Sequence, residues 1–208
     1  MTTKSMWPQG KTCAVMVTVN FDAEAVDLHE AKPENLYGKY SYGRYGMRAG
    51  VWRLLDVLRG QNIKATFFVP AFDAENNPAA VAAIQKDGHE IGARGYAFED
   101  HSKLGAQERP ILERAHKALT TITGTAPVGW RAPFGLLTRD TFGHLADLGY
   151  LYDYELHPTY YRHYHPDMVV QFEAIKTRGD SMCKFRVSQP GRQKNSDPAF
   201  KGYTGKDI

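Results

Sequence analysis

Short apolar runs alternate with longer amphipathic segments along most of this chain, and this alternation limits the fold more than any other feature of the sequence. Residues 14–21 and 63–69 are rich in β-branched and aromatic side chains, which is typical of buried strands. Residues 47–58 and 106–123 place apolar side chains at helical spacing, and a glycine lies shortly beyond each segment as a stop signal. Strands that alternate with helices predict a parallel sheet with right-handed crossovers, so the predicted fold class is α/β.

The same pattern continues to about residue 152 and weakens after it. The predicted strands are 14–21, 63–69, 89–93, 127–130 and 149–152, and the predicted helices are 47–58, 78–86, 106–123 and 138–148. Residues 25–45 hold four tyrosines without clear periodicity and are expected to form a long loop. We expect a domain core over residues 12–153, a divergent end of that domain over 154–188 and a flexible tail over 189–208.

The composition of the 208 residues is that of an ordinary globular protein with one domain, since 42% are hydrophobic and 24% are charged. The net charge of +3 is small and its Lys and Arg residues are scattered, so no nucleic-acid partner is expected. No apolar run has the length of a membrane span or the flanks of a secretion signal, so a cytoplasmic location without a membrane partner is expected. Cys13 and Cys183 leave a single disulfide open but imply no disulfide framework.

Polar residues follow four of the predicted strands directly. Asp22 and Glu24 come after the first strand. Arg94 follows the third strand, Arg131 the fourth and Asp153 the fifth. The carboxyl ends of parallel strands meet at one edge of a sheet, where α/β proteins commonly bind their ligands. These side chains are therefore expected to line one shared cleft.

Six blocks of sequence carry a family resemblance. They are Asn20–Glu24, Tyr45–Leu55, Ala65–Pro70, Gly88–Gly92, Gly129–Gly135 and Leu148–Asp153. In their residues, order and spacing these blocks resemble the NodB-homology, or polysaccharide deacetylase, superfamily over residues 12–153. The chain looks most like an intracellular branch that contains peptidoglycan-deacetylase-like proteins, cyclic imide hydrolases and metal-independent allantoinases. That resemblance implies a distorted (β/α) barrel, expected to be incomplete at its C-terminal end, and hydrolysis of carbon–nitrogen bonds other than peptide bonds.

The resemblance also implies roles for individual residues. Asp22 matches the catalytic base of the family, and Glu24 lies where this branch often places a metal-binding carboxylate. Arg131 matches the arginine that orients the base. The residues expected to contact the substrate are Phe98, Trp130, Pro133 and Asp153.

The sequence departs from the family at both zinc-histidine positions, which are Arg94 and Phe98 here. Arginine stays protonated and has only hydrogen-bond donors, and phenylalanine has no lone pair, so neither can bind zinc. No metal is therefore expected, although Asp22, Glu24 and His101 are left as an alternative set of zinc ligands. The late histidine block that supplies a general acid in the family is not recognisable.

Three functions stay open at this point. Our prediction is a metal-independent hydrolase in which Asp22 or Glu24 activates water and Arg94 supplies the positive charge that a metal would bring. Its substrate would be a small amide or imide, such as a cyclic imide, a hydantoin or a ureide, because strained rings need less electrophilic help than an N-acetyl sugar. The alternatives are a zinc-dependent polysaccharide or peptidoglycan deacetylase, and a catalytically silent member that binds a ligand or partner.

Two further questions stay open. Arg94 either assists catalysis or pairs with Asp22 or Glu24 in a dead site, and Phe98 either packs in the core or stacks on the substrate. A homo-oligomer is expected from the resemblance, and the tyrosine-rich residues 25–45 would be its contact surface.

Overall fold

The computed structural model describes residues 16–30 and 43–153, together with the backbone of residues 169–177 and 180–188. The chain divides into two compact units. The first is Val15–Leu151, and the second includes the chain from Tyr152 onward. The domain boundaries expected at residues 153 and 188 stay a prediction, and the expected tail over 189–208 lies outside the described residues.

Four short parallel strands form the sheet of the first unit, in the order in which they occur along the chain. They are β1 Thr18–Asn20, β2 Thr66–Val69, β3 Glu90–Ala93 and β4 Gly129–Trp130. Val19 lies beside Phe67, which in turn lies beside Ile91, and Ala93 lies beside Trp130. Because all neighbours are parallel, the carboxyl ends of the four strands lie along the same edge of the sheet.

Helices connect these strands, as the alternation in the sequence predicts. The α-helices are α1 Glu24–Glu30, α2 Gly43–Tyr45, α3 Val51–Gly60, α4 Ala71–Asn76, α5 Pro78–Lys86, α6 Glu108–Thr123 and α7 Arg139–Asp147. A π-helical turn, Gly46–Gly50, joins α2 to α3, and two 3-10 turns, His101–Lys103 and Gly105–Gln107, precede α6. No helix in the described part of the chain is long and apolar enough to cross a membrane.

The core of this unit lies between the sheet and the helices that cover it. All four residues of β2 are buried, as expected of a strand that is covered on both faces. The helices bury residues spaced three or four apart: Val51, Leu55 and Leu58 from α3, and Leu112, Ala115 and Leu119 from α6. Each fully buried leucine stabilises the fold by about 1.5–3 kcal/mol. Helix α6 ends at Gly124, whose φ of 70° suits glycine.

The predicted fold class and the predicted order of strands and helices are confirmed. Helix 78–86 has the predicted bounds, and α7 begins after Thr138, whose side chain accepts a hydrogen bond from the Thr141 N–H. The predicted strands are too long at their first residues, and local bonding explains this. The N–H of Ile63 donates to the end of α3, and the N–H of Tyr150 donates to the end of α7, so neither joins the ladder.

The long loop predicted over residues 25–45 is wrong at both ends, where α1 and α2 lie. Residues 31–42 are outside the described part of the chain. Helix α4, which directly follows Pro70, is also absent from the prediction. The side chain of Asp73, far away in the sequence, accepts hydrogen bonds from the backbone N–H groups at the start of α1. The residues next to this helix therefore carry no capping signal from which its start could be predicted.

The second unit contains a short strand, β5 Tyr152–Asp153, and an antiparallel hairpin. The hairpin pairs β6 Val169–Thr177 with β7 Asp180–Ser188 in a single continuous register. Both strands of the hairpin lie in residues 154–188, for which the sequence predicts no strand, and β7 shows why that prediction fails. Its sequence carries a strand signal that the prediction misses, because Cys183, Phe185 and Val187 alternate with Lys184 and Arg186.

Candidate active site

A buried ion pair lies at the carboxyl edge of the sheet. Asp22 lies two residues beyond β1, and Arg94 directly follows β3, on either side of the central strand β2. Arg94 Nε donates to Asp22 Oδ1 at 2.6 Å, although 72 residues separate the two in sequence. The side chains are only 6% and 16% exposed. The structure therefore brings together two of the side chains that are predicted to share a cleft.

The guanidinium group of Arg94 is held on three sides. Its two terminal nitrogens donate to the carbonyl oxygens of Ala132, at 3.0 Å, and Pro133, at 2.9 Å. Its carbon lies 5.3 Å from the centre of the Phe98 ring, within the range of a cation–π contact. Among the described residues these bonds use three of the five N–H groups of the side chain, so two N–H groups remain for another acceptor.

The carboxylate of Asp22 is more basic than an ordinary aspartate. Burial raises its pKa, and this effect outweighs the charge and the hydrogen bond of Arg94 and the charge of Arg131, all of which lower it. Among the described residues Asp22 is bonded through Oδ1 to Arg94 only. The second oxygen of a carboxylate with a raised pKa is suited to accept a proton from water.

Arg131 supports the same edge of the sheet from β4. Its backbone N–H donates to the carbonyl oxygen of Ala93, and its side chain donates to Asn20 Oδ1 at 2.5 Å. The guanidinium carbon lies 4.8 Å from the centre of the Phe68 ring. Arg131 thus links the end of β4 to Asn20 at the end of β1, which lies two residues before Asp22. Its positive charge lowers the pKa of Asp22.

Asp73 holds the segment that carries Asp22, and it is missing from the residues predicted for the site. This fully buried carboxylate accepts hydrogen bonds from the backbone N–H groups of Ala23, Glu24 and Ala25 at 2.9–3.0 Å. Burial raises its pKa to about 6; the three amides lower it, and the charge of Asp22 raises it. The sequence does hold a signal for it, because Asp73 is an acidic residue shortly beyond β2, as Asp22 is beyond β1.

Glu24 and Asp153 have surroundings different from those of the ion pair. The Glu24 carboxylate accepts a hydrogen bond from Arg44 Nε at 2.9 Å, so it is paired with a different arginine from the one that holds Asp22. Asp153 is buried in the other unit, so its position near the cleft stays a prediction.

The residues expected to contact substrate differ in what they offer to a ligand. Pro133 contributes the carbonyl oxygen that fixes Arg94. The ring of Trp130 is fully buried and lies edge-on to His101, with 5.1 Å between ring centres, so it packs in the core. Phe98 is 9% exposed and has a φ of 67°, which is rare for a bulky residue and is found where surrounding contacts impose it.

Three aromatic rings lie together beside the ion pair, and two of them are absent from the predicted site. The Phe98 and Phe134 rings are 4.9 Å apart between centres, and His29 lies 5.1 Å from Phe134 and 6.1 Å from Phe98. Phe134 is 43% exposed and directly follows Pro133. His29 belongs to α1, a segment predicted as loop, so its placement cannot be inferred from the sequence pattern.

His101 belongs to a buried polar network instead of a metal site. Its Nδ1 lies 3.3 Å from Glu108 Oε1, which also accepts the Thr141 hydroxyl at 2.6 Å. The desolvation of Glu108 raises its pKa, but the hydrogen bonds of His101 and Thr141 and the charge of His101 together bring it below the usual value. The side chain of His101 has no exposed surface.

The residues at the zinc positions do not fit a zinc ion. Asp22 is bonded to Arg94, Glu24 to Arg44 and His101 to Glu108, so the alternative ligand trio is not brought together. A catalytic zinc site needs three protein ligands, and a guanidinium cation occupies the place of one of them. Within the described ranges no group of three His, Cys, Asp or Glu side chains is arranged to hold a metal ion.

Comparisons with known proteins agree in the family that they indicate. A sequence profile described as polysaccharide deacetylase matches residues 39–152. The chain is 36% identical over 146 residues to a peptidoglycan deacetylase-like protein of Gibberella zeae, covering 68% of this chain and 43% of that protein. It is 31% identical over 147 residues to a peptidoglycan deacetylase of Helicobacter pylori, covering 70% of this chain and 50% of that protein. The chain thus spans about half the length of the curated relatives it matches.

Solved structures resemble this chain over most of its length. A Mycobacterium smegmatis protein assigned to the polysaccharide deacetylases superposes with a TM-score of 0.65 at 42% identity, covering 71% of this chain and 52% of that one. The PuuE allantoinase superposes with a TM-score of 0.63 at 27% identity, covering 85% of this chain and 62% of that one. These similarities confirm the predicted NodB-type (β/α) barrel fold.

Proposed function

Because this chain belongs to the polysaccharide deacetylase family, we propose that it hydrolyses a carbon–nitrogen bond of a small amide or imide, with Asp22 as the base and no metal ion. The observation that carries this proposal is the Asp22–Arg94 pair. Asp22 offers a carboxylate oxygen, and burial raises the pKa of that group. Arg94 offers two N–H groups of a guanidinium cation that Ala132 and Pro133 hold in place.

The chemistry requires a base for water and a positive group for the charge that develops on the carbonyl oxygen. The free oxygen of Asp22 accepts a proton from water as the water oxygen bonds to the carbonyl carbon. The two N–H groups of Arg94 donate to that carbonyl oxygen as it becomes negative. Because Ala132 and Pro133 already hold the guanidinium group, little reorganisation is needed when the charge develops.

The charge available at the pair favours a reactive amide that is locked in a ring. A single guanidinium group, already bonded to Asp22, stabilises the carbonyl oxygen in the role that a metal ion has in the family. Strained or activated rings such as cyclic imides, hydantoins and ureides need less electrophilic help than the amide of an N-acetyl sugar. The structural similarity to an allantoinase also supports a ring substrate.

As a second candidate function, the chain binds a ligand without turnover, as a catalytically silent member of the family. The short contact of 2.6 Å between Asp22 and Arg94 favours it, because a base that is bonded to a cation is a weaker proton acceptor. A zinc-dependent peptidoglycan deacetylase has its support in the names of the relatives, and the donor groups at the described site argue against it.

Hydrolysis of succinimide, hydantoin, allantoin and chitin oligomers, with and without a chelator, tests these functions. We expect turnover of a cyclic substrate that the chelator does not change, and its loss in Asp22→Asn. Asp140→Asn is the matched control, because Asp140 is exposed on α7. Loss of turnover with the chelator would refute the metal-free mechanism. Binding of a cyclic substrate without turnover would support the silent function.

The pH dependence gives a second test. Because burial raises the pKa of Asp22, its carboxylate form appears at higher pH than that of an ordinary aspartate. We expect kcat to rise with pH through a midpoint above about 4, the usual value for an aspartate. A rate that does not change with pH between acidic and neutral conditions would contradict the assignment of Asp22 as the base.

A further inference from the structure

The proposed hydrolysis needs a group that protonates the leaving nitrogen. Arg94 stays protonated, and Asp22 takes its proton from the attacking water, so a separate acid would let each proton transfer proceed at its own fixed group. Three titratable side chains near the ion pair are already occupied. Asp73 is fully buried and accepts three amides, Glu24 is paired with Arg44, and His101 has no exposed surface. A proton donor must reach a substrate that lies on Asp22 and Arg94, so none of these three is suited to the task.

His29 lies against the aromatic rings that border the ion pair. Its ring lies 6.1 Å from the centre of the Phe98 ring, and that ring lies 5.3 Å from the guanidinium carbon of Arg94. The imidazole is therefore no farther from the guanidinium carbon than these two distances combined. Phe134 is 43% exposed, lies 5.1 Å from His29 between ring centres and directly follows Pro133, whose carbonyl oxygen holds Arg94. A substrate ring on Phe134 would therefore lie near both groups.

The surroundings of His29 leave its ring nitrogens available. The ring contacts only Phe98 and Phe134 among the described aromatic side chains, and no hydrogen bond to a described residue uses either nitrogen. Arg94 contacts the same Phe98 ring as His29, and Asp27 on the same helix accepts the N–H of Gly43 through its carboxylate. His29 is exposed, so it can exchange protons with solvent.

We infer that His29 is the proton donor of the proposed reaction, an inference that rests on the proposed function. Water bonds to the carbonyl carbon and gives a proton to Asp22. The carbon–nitrogen bond then breaks, and the nitrogen takes its proton from the His29 imidazolium. His29 regains a proton from solvent, and Asp22 releases its own. Opening the ring gives one product that carries both the new carboxylic acid and the released amine or amide group, and no oxidant or metal is required.

A leaving-group comparison tests this role. His29→Gln keeps a polar side chain of similar length but cannot act as an acid, and His144→Gln on α7 is the matched control. On the cyclic amide or imide that the wild type turns over best, we expect kcat of His29→Gln to fall about 100-fold or more, with KM little changed. On dihydrocoumarin, a ring-closed ester whose phenolate leaves without protonation, the variant and wild type are expected to have similar kcat values.

The pH profile separates a proton donor from a residue that only shapes the site. In the wild type the pH profile of kcat is expected to have a limb that falls as the donor loses its proton, and His29→Gln is expected to lack that limb. An equal loss of kcat on the amide and the ester, or no loss on either, would overturn this role while the proposed function stands. Absence of wild-type turnover on every substrate would overturn both.

Discussion

Replacing Asp73 with asparagine is expected to change how the free energy of unfolding depends on pH. Asp73 is fully buried, and burial raises its pKa from 3.8 to about 6, against the opposing effect of three amide hydrogen bonds. A difference of about two pKa units between the folded and unfolded states corresponds to about 3 kcal/mol. The stability that the neutral Asp73 carboxyl contributes to the fold is fully present below pH 3.8 and is lost as the pH rises through about 6.

The assay is urea unfolding of wild type and Asp73→Asn at a series of pH values from about 4 to about 8. Subtracting the variant from the wild type removes most of the titration of other groups. We expect the wild-type free energy of unfolding, relative to that of the variant, to fall by about 3 kcal/mol across this range. The asparagine amide also faces the N–H of Ala23 in place of an acceptor, which costs about 1–3 kcal/mol at every pH and shifts the whole curve.

The slope of this difference decides between two physical effects on one carboxyl group. Desolvation disfavours the charged form, whereas three amide donors favour it. If the difference rises with pH, the amide hydrogen bonds dominate, the pKa of Asp73 is depressed, and the expected effect of burial is refuted. A flat difference would mean that the two effects cancel, and it would refute the expectation as well.

Other buried contacts give three more predictions. Arg94→Met should lower the free energy of unfolding by about 3 kcal/mol. This is the low end of the range for a broken buried ion pair, because the Asp22 side chain keeps 16% exposure. A loss below about 1 kcal/mol in urea unfolding would contradict this prediction. Glu108→Gln should show the opposite pH trend to Asp73→Asn, because hydrogen bonds lower the pKa of Glu108 below its ordinary value of 4.5. The stability that Glu108 contributes should be present above pH 4.5 and fade as the pH drops below it, which thermal melting from about pH 3 to about pH 7 would measure. Gly92→Ala should destabilise by about 1–3 kcal/mol, because its Cβ would lie 2.7 Å from a phenylalanine ring of β2. The control Gly60→Ala meets nothing within 4 Å and should be neutral or slightly stabilising.

Much of the first unit could be predicted because its signals are local. Helix 78–86 starts at a proline and ends before Asp87-Gly88, and both signals lie at the ends of the segment itself. The strands of the sheet are short apolar runs, so periodicity locates them to within a few residues. By the same logic, the alternation of strands and helices is enough to place the polar residues at strand ends along one edge of the sheet.

Helix α1 and its histidine could not be predicted in this way. The amides of Ala23, Glu24 and Ala25 are satisfied by Asp73, which is 48 to 50 residues away in sequence. Nothing within residues 24–30 announces that cap, so the local pattern indicates a loop. The position of His29 is missed for the same reason, because the face that a side chain occupies can be predicted only when its helix is recognised.

The sequence by itself determined the order of strands β1 to β5 and of helices α3, α5, α6 and α7, the family, and the loss of both histidines at the zinc positions. These depend on the type and spacing of nearby residues, which the chain displays directly. Only the tertiary structure decided that Arg94 bonds Asp22 instead of Glu24, and that His101 lies buried on Glu108. Asp22 and Glu24 lie only two residues apart, and the direction in which each side chain points as the chain turns from β1 into α1 decides which of them Arg94 bonds. The burial of this ion pair depends on how the four strand ends pack together.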